Sequence, residues 1–229
     1  MKGTTNKNKT WYPTNENSLQ GFWEYKRCSL ISGNTDVAAL GTWFDTSHHS
    51  RDMVQATASE KVSYTHATGA VNFDGDDNLQ MASGEVSISG VFTVGLVGYF
   101  VALSNEVLLA SNTTSNQFIR LNDGDSINVK IDSANTITFN LGAELQTDTL
   151  YNLMICRDSS DLITIWVNGV KQTDTATGAG TLRLDTLGVR YTDLNDLTGR
   201  LYEVVVFNDF STTLASNVST RLNEIKNHI

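Results

Sequence analysis

Two short acidic turns are the stretches of this chain whose residue types could do chemistry. Asp74 and Asp76 flank one glycine, and Asp123 and Asp125 flank another. Two carboxyl groups at alternate positions could serve retaining hydrolysis of a glycosidic bond, which needs them about 5–5.5 Å apart. Clustered carboxylate oxygens could instead ligate Ca²⁺. Because each pair straddles a glycine, both stretches favour turns in which an Asp side chain hydrogen-bonds nearby backbone.

The glutamates do not complete a catalytic pair. No glutamate has an acidic residue two positions further along the chain, and the positions are Glu16, Glu24, Glu60, Glu85, Glu106, Glu144, Glu203 and Glu224. We therefore predict no catalytic residue, no cofactor-binding residue and no metal ligand, and a protein that is not an enzyme. Whether the turns at residues 74–77 and 123–125 hold calcium stays open, since the sequence assigns no second loop of ligands.

Histidine and cysteine add no clear site. His48 and His49 would point to opposite faces of an extended strand, so they could share a zinc ion only across a loop bend. Cys156 lies in an apolar strand and is predicted to be a buried, inert thiol, while a contact between Cys28 and Cys156 stays open. No Gly-x-Ser-x-Gly elbow and no glycine-rich phosphate loop are present.

The elements that must position these residues are β-strands. Residues 162–167 alternate between two faces and are rich in β-branched and aromatic side chains, as in a pleated strand. Asn168 and Gly169 then supply the residue pair that tolerates positive φ in a tight hairpin turn. Residues 150–157 and 201–207 are strand candidates before and after this hairpin. The stretch therefore predicts an antiparallel β assembly.

Other short apolar stretches, separated by Gly, Asn and Asp, predict more strands. They lie at residues 40–44, 69–73, 92–103, 107–110, 118–121, 126–131 and 136–141. Strands at this spacing are typical of a sandwich or jelly roll. The period then changes, because Leu214, Val218, Leu222 and Ile225 recur at the spacing of one helical face. A short C-terminal helix is predicted, with its start capped by residues 212–213.

Several motifs, in order, resemble a laminin-G-like, or concanavalin A-like lectin/glucanase, domain. They are Phe-Asp-Gly-Asp-Asp-Asn-Leu at residues 73–79, a strand ending in Arg-Asp at residues 151–158, Val-Asn-Gly at residues 167–169 and Gly-Arg-Leu-Tyr-Glu at residues 199–203. Residues 45–52, followed by Gln-Ala-Thr at residues 55–57, look like the lead-in seen in phage virion proteins that carry this domain. The resemblance covers roughly residues 36–229.

The resemblance implies an all-β, two-sheet antiparallel jelly-roll sandwich over residues 36–229, with a short C-terminal helix and an N-terminal arm over residues 1–35. Glucanases of this fold carry a Glu-x-Asp-x-x-Glu strand, which this chain lacks. Some laminin-G-like domains hold calcium, which is why the turn at residues 74–77 is of interest. The fold hosts lectins, hydrolases and structural modules, so the fold does not decide the function.

Charge and aromatic residues are unevenly distributed. The net charge is −9, which argues against a general nucleic-acid binder. Residues 1–30 contain five basic and two acidic side chains, a balance of +3, so the remainder carries −12. Five of the 20 aromatic residues fall within the first 25 positions. We expect this arm to pack either on its own domain or on a neighbouring subunit.

The sequence also predicts whether the chain has a membrane-spanning segment or a signal peptide. Residues 86–105 form the longest uncharged run, but their glycines and alternating start favour two strands with a bend over a membrane-spanning helix. The basic N-terminus is followed by no apolar core, so we expect no signal peptide and synthesis in a host cytoplasm.

Two functions are open at this point. The first is a non-enzymatic virion structural protein, a phage capsid decoration or fibre component that binds other virion proteins through its N-terminal arm and forms a homo-oligomer. The alternative is a carbohydrate-binding module that recognises host surface polysaccharide through loops at the sandwich edge. If the arm serves attachment, deleting residues 1–25 should leave the body folded.

Overall fold

The computed structural model describes residues 11–28, 35–113, 117–132, 135–190 and 196–229. Within them the chain forms strands, two single-turn 3₁₀ helices (Pro13–Asn15 and Ala58–Glu60) and one long helix near its C-terminus. The elements are β1 (Leu19–Trp23), β2 (Thr42–Trp43), β3 (Met53–Val54), β4 (Ser63–Thr65), β5 (Ala70–Asp74), β6 (Leu79–Met81), β7 (Val86–Ile88), β8 (Phe92–Phe100), β9 (Val107–Ala110), β10 (Phe118–Leu121), β11 (Ser126–Lys130), β12 (Ile137–Asn140), β13 (Thr149–Arg157), β14 (Leu162–Val167), β15 (Val170–Thr177), β16 (Leu182–Leu184), β17 (Thr186–Leu187), β18 (Thr198–Phe207) and α1 (Thr212–His228).

Two large antiparallel sheets account for most of these strands. The first sheet has the order β15-β14-β13-β8-β18-β5-β4, and β1 also pairs with β18. The second has the order β12-β11-β10-β9-β17-β6-β3-β2, while β7 and β16 form a separate ribbon. Neighbours in space are often distant in sequence, as in a jelly roll. The predicted two-sheet antiparallel sandwich is confirmed.

Side-chain alternation explains how the sheets pack. In β14, Ile163 and Ile165 are fully buried in the core between the sheets, while Trp166 packs on the opposite face of the first sheet. The turn after β14 has the predicted geometry, with φ of 51° at Asn168 and 78° at Gly169. The period-2 pattern and the hairpin pair therefore place this strand correctly.

Helix α1 covers the outer face of the first sheet. Its buried residues are Leu214, Ala215, Val218, Leu222 and Ile225, as the helical spacing predicts. The helix approaches the sheet closely over β8, where a Cβ atom on Gly95 would lie 2.9 Å from Val218. The predicted cap is wrong by one residue, because the side chain of Ser211 accepts the hydrogen bond from the Leu214 amide. No helix among the described residues is both long and apolar enough to span a bilayer.

Part of the predicted arm lies in the sandwich. Strand β1 pairs with β18, and Phe22 and Trp23 are fully buried. Tyr12 packs edge-to-face on Phe22 at 5.6 Å between ring centroids. Of the two alternatives for the aromatic stretch, packing on its own domain therefore holds for residues 11–28. Residues 1–10 and 29–34 lie outside the described residues, so the boundary at residue 35 stays a prediction.

Candidate functional site

The acidic turn after β5 brings three carboxylates together. Oxygen atoms of Asp74, Asp76 and Asp77 all lie within 4.8 Å of one another. Gly75, with φ of 105°, allows the chain to reverse between them. Asp77 is buried, whereas Asp74 and Asp76 are exposed. Within the described ranges this is the one group of three or more metal-ligating side chains that meets this spacing.

Crowding of like charge changes the protonation of this turn. Burial, followed by the charge of Asp74, raises the pKa of Asp77 to about 7. The pKa of Asp76 is also raised, chiefly by its hydrogen bond with Asp74, and the same bond lowers the pKa of Asp74. The three oxygen donors fit a hard cation such as Ca²⁺, which takes about 6–8 oxygen ligands. The turn alone supplies three, fewer than Ca²⁺ takes, so whether this turn holds calcium stays open.

The second acidic turn is a structural turn. One oxygen of Asp123 accepts hydrogen bonds from the Ser126 hydroxyl at 2.5 Å and from the Asp125 amide at 3.2 Å. Its other oxygen accepts from the side-chain amide of Asn122 at 3.1 Å. The hydrogen bond from Ser126 is the main cause that lowers the pKa of Asp123. These contacts confirm the side-chain-to-backbone turn that the Asp-Gly-Asp sequence predicts.

The histidines do not form a metal site in the described part of the chain. His48 and His49 lie in a turn rather than a strand, and their ring centroids are 4.1 Å apart. The chain bends here, so the opposite orientation that an extended strand would impose does not apply. Among the described residues, no cluster of three metal-ligating side chains includes them. Burial is the main cause that lowers the pKa of His49.

The loop that contains these histidines anchors β1. Asp45 accepts hydrogen bonds from the amides of Phe22, Ser47 and Arg51 at 2.8–2.9 Å, and from the Ser47 hydroxyl at 2.7 Å. The Arg51 guanidinium donates to the Gln20 carbonyl. The residues that resemble a virion lead-in thus have a structural part in this fold, namely to hold the N-terminal strand.

Charged residues of the other motifs are buried and structural as well. Arg157 is fully buried, and it donates to the carbonyl oxygens of Gly90, Gly178 and Gly180, which joins two loops. Glu203 is also fully buried and accepts two hydrogen bonds from Arg221 of α1, at 2.9 and 2.7 Å. Sequence reasoning did not assign these roles, since both pairings join distant segments.

Both cysteines are buried and free. Cys156 lies under α1, as its apolar strand predicts, and Cys28 belongs to the core between the sheets, so the two do not meet. Burial raises the pKa of each thiol to about 12. A thiol with so high a pKa is a poor nucleophile at neutral pH.

An open cleft of about 470 Å³ lies at one edge of the sandwich, where the edge strands β12 and β15 meet. We call it the edge cleft, and it is lined by Gly142, Ala143, Glu144, Leu145, Tyr151, Val167, Asn168, Val170, Lys171, Gln172 and Thr173. Hydrogen bonds join β15 to residues 140–142 beside it. Gln172 accepts from the Gly142 amide at 2.9 Å, and Asp174 accepts from the Asn140 amide at 2.8 Å.

The edge cleft combines an apolar floor with a polar rim. Tyr151 and Leu145 form buried parts of the floor, and the Tyr151 hydroxyl is fixed by accepting from the Gln146 amide at 2.7 Å. Val170 is 64% exposed at the mouth, an unusually open position for a large apolar side chain. Glu144 is exposed beside it, and Gln172 is half-buried. A pocket of this size and composition is typical of small-molecule sites, which span about 300–1,000 Å³.

No protein-family model matches the chain, and no curated protein matches it in sequence. Solved structures do match in fold. Domain 4 of an extracellular arabinanase from Geobacillus stearothermophilus, solved in complex with arabinotriose, aligns with a TM-score of 0.55 and 16% identity, over 88% of this chain and 98% of that one. A heptameric SAP-like pentraxin from Limulus polyphemus aligns with a TM-score of 0.51 and 13% identity, over 66% of this chain and 80% of that one.

A sialidase from Trypanosoma rangeli aligns over 92% of this chain with a TM-score of 0.56 and 12% identity, but this chain spans only 34% of that enzyme. The arabinanase domain and the pentraxin are concanavalin A/laminin G-like jelly-roll sandwiches, so the predicted fold resemblance is confirmed. Identities this low establish the fold alone. None of the comparisons bears on a phage context.

Proposed function

We propose that this chain is a carbohydrate-binding module and that the edge cleft is its sugar site. The observation that carries the proposal is an open cleft with an aromatic floor and a polar rim, at the sandwich edge where the sequence analysis expects a lectin-type site. The fold supports this assignment, since one neighbour with the same fold was solved with an arabinose trisaccharide.

The chemistry of the edge cleft suits a sugar ring. A pyranose or furanose has an apolar C–H face, which can pack on Tyr151 and Val170, and hydroxyls that need polar partners. Gln172 offers a side-chain amide at the rim, and Glu144 offers a carboxylate acceptor. The hydrogen bond from the Gly142 amide to the Gln172 side chain joins the two walls before a ligand arrives. Such preorganisation lowers the entropic cost of binding.

Binding without hydrolysis is the favoured activity of the edge cleft. Glu144 is the one acidic residue among its described lining residues, whereas glycoside hydrolysis requires a pair of carboxyl groups. We therefore assign the edge cleft to recognition, with no catalytic residue.

Substitutions along β15 test the proposal. In calorimetric titrations with a panel of neutral oligosaccharides that includes arabinotriose, Val170→Ala and Gln172→Ala should each weaken binding about tenfold, equivalent to about 1.4 kcal/mol. Thr175→Ala is the matched control, because Thr175 is exposed on the same strand but does not line the edge cleft. The proposal fails if no oligosaccharide of the panel binds, or if all three variants bind as the parent protein does.

The virion role stays a prediction beside this proposal. It rests on the lead-in resemblance at residues 45–52, on the missing catalytic pair and on the basic N-terminal segment. Attachment to other virion proteins, self-association and a virion location likewise remain predictions. A particle-surface protein with this fold can also bind a glycan, so the two functions are compatible. Mass spectrometry of purified particles would detect the chain at high copy if it decorates a capsid.

A further inference from the structure

The outer face of the second sheet carries a pair of arginines that share one aromatic ring. The guanidinium of Arg120 lies 4.8 Å from the ring centroid of Phe118, and that of Arg190 lies 5.9 Å from the same centroid. Phe118 and Arg120 are at alternate positions of β10, so both lie on the face opposite the core between the sheets, where Phe118 is 2% exposed and packs with Val107 and Ala110. We call Phe118, Arg120, Arg190 and Asn128 the arginine face.

This positive pair lacks a counter-charge within the described part of the chain. The Nε atoms of Arg120 and Arg190 are buried without a hydrogen-bond partner. Ion pairs among the described residues involve three other arginines, Arg157, Arg183 and Arg221. Burial, followed by the like charge of Arg190, lowers the pKa of Arg120. An unpaired, partly desolvated cation pair is unfavourable alone and is stabilised by a bound anion.

Asn128 adds a hydrogen-bond acceptor of fixed orientation. It lies directly opposite Arg120 in the register of β10 and β11, on the same face. Its amide nitrogen donates to the side-chain oxygen of Asn122 at 2.8 Å, since the Asn122 nitrogen is already directed to the Asp123 carboxylate. The Asn128 side-chain oxygen therefore takes no part in this hydrogen bond, and it is buried without a partner among the described residues. Asn128 as a whole is only 4% exposed.

The polar groups that lack hydrogen-bond partners indicate which kind of ligand would bind here. Two guanidinium groups favour binding of an anion, and a planar carboxylate can accept two parallel N–H hydrogen bonds from a guanidinium group. The side-chain oxygen of Asn128 can accept a hydrogen bond, so a hydrogen-bond donor beside the anion, such as a hydroxyl group, would complete the site. A carboxylate with neighbouring hydroxyls is the pattern of an acidic sugar. Both arginines are half-buried, so part of each side chain remains open to a ligand.

We propose that the arginine face is a second binding site, which takes the carboxylate of an acidic sugar between Arg120 and Arg190 and a sugar hydroxyl on Asn128. It is separate from the edge cleft, because the two share no lining residue. The proposal does not depend on the function assigned to the edge cleft. It assigns the chain a preference for uronate-type glycans in addition to any neutral sugar.

Paired titrations test this site. Trigalacturonate should bind the intact protein at least tenfold more tightly than galactotriose does, its neutral counterpart. Arg120→Gln and Arg190→Gln should each remove that difference. Arg200→Gln is the matched control, because Arg200 also lies over an aromatic ring, that of Tyr99 at 4.8 Å, but on the first sheet. Lactate and sulfate, as a free hydroxy acid and a plain anion, should bind at least tenfold more weakly than trigalacturonate.

A measurement on the parent protein keeps the proposal testable even if a variant fails to fold. On addition of trigalacturonate, amide chemical shifts should move at residues 118–120 and 128. Shifts confined to residues 142–145 and 170–173 would place the acid in the edge cleft and overturn the proposal. Equal affinity for trigalacturonate and galactotriose would also overturn it. Sulfate or lactate binding as tightly as trigalacturonate would overturn the sugar assignment and leave an anion site.

Discussion

Buried polar and charged side chains in this protein are used mainly to join segments that are distant in sequence. Arg157 links the loop before β8 to the loop after β15, and Glu203 links β18 to α1. Each is matched by hydrogen-bond partners of suitable geometry, which is the condition under which burial of a charge is tolerated. At the arginine face, by contrast, the Nε atoms of Arg120 and Arg190 are buried without a hydrogen-bond partner in the part of the chain that the structure describes.

Thiol chemistry gives a prediction at the same scale. Because burial raises the pKa of Cys28 and Cys156 to about 12, almost none of either is thiolate at pH 8. In the folded protein, Ellman's reagent should release less than about a tenth of the colour expected for two thiols. In 6 M guanidinium chloride both should react at once.

Single substitutions make this test specific. Cys28→Ser and Cys156→Ser should each leave one thiol that reacts only after unfolding. Fast reaction of the native parent would show that at least one cysteine is accessible, and the variant that abolishes this reaction would identify it. A missing thiol in the denatured parent would instead show a disulfide and contradict the separate positions of the two residues.

At the level of elements, β1 is the strand whose contribution differs most from expectation. It pairs with β18, and its Leu19, Phe22 and Trp23 are at most 1% exposed. Asp45 fixes the same strand from the other side through the Phe22 amide. Large buried side chains of this kind stabilise a fold by about 3–5 kcal/mol each for Phe and Trp. The strand is therefore part of the core.

Two truncations separate the tail from the strand. Deletion of residues 1–25 should leave a chain without native β-sheet circular dichroism, because the loss approaches the total stability of a typical domain, about 5–15 kcal/mol. Deletion of residues 1–10 is the control and should leave the spectrum and the urea midpoint near those of the full chain. If deletion of residues 1–25 left the urea midpoint unchanged, the N-terminal segment would be a separate arm, as the sequence predicts, and β1 would not be part of the core.

The whole molecule is a sandwich whose possible ligand sites lie on different surfaces. The edge cleft lies between the edge strands of the two sheets, and the arginine face lies on the outside of the second sheet. Helix α1 covers the outer face of the first sheet. A module with two such sites could contact two points of one polysaccharide, and linked contacts of this kind raise the overall affinity.

At this scale we predict that the protein does not hydrolyse β-glucans, laminarin or agarose. The edge cleft has Glu144 as its one acidic lining residue, and Glu203 is buried in an ion pair with Arg221. Reducing ends released after prolonged incubation should equal those from a heat-killed sample. Release well above that control would mean that a carboxyl pair has been overlooked.

The sequence by itself determined the fold class and many of its elements. Strands β9, β10 and β14 begin and end where the apolar stretches do, and the turn at Asn168 and Gly169 has the predicted dihedral angles. The buried face of α1 also follows from spacing alone. Such features depend on side-chain period and turn chemistry over a few residues, and these are properties of local sequence.

Only the tertiary structure decided where the sites are. Arg120 and Arg190 are 70 positions apart by residue number, and they meet on Phe118 because β9 lies between β10 and β17 in the second sheet. The edge cleft likewise needs β12 and β15 to lie at matching edges of two sheets. Strand order and register decide which of these distant residues come into contact, and no local sequence pattern encodes that order. The sequence therefore supplied the residues of each site, and the packing of the sheets brought them together.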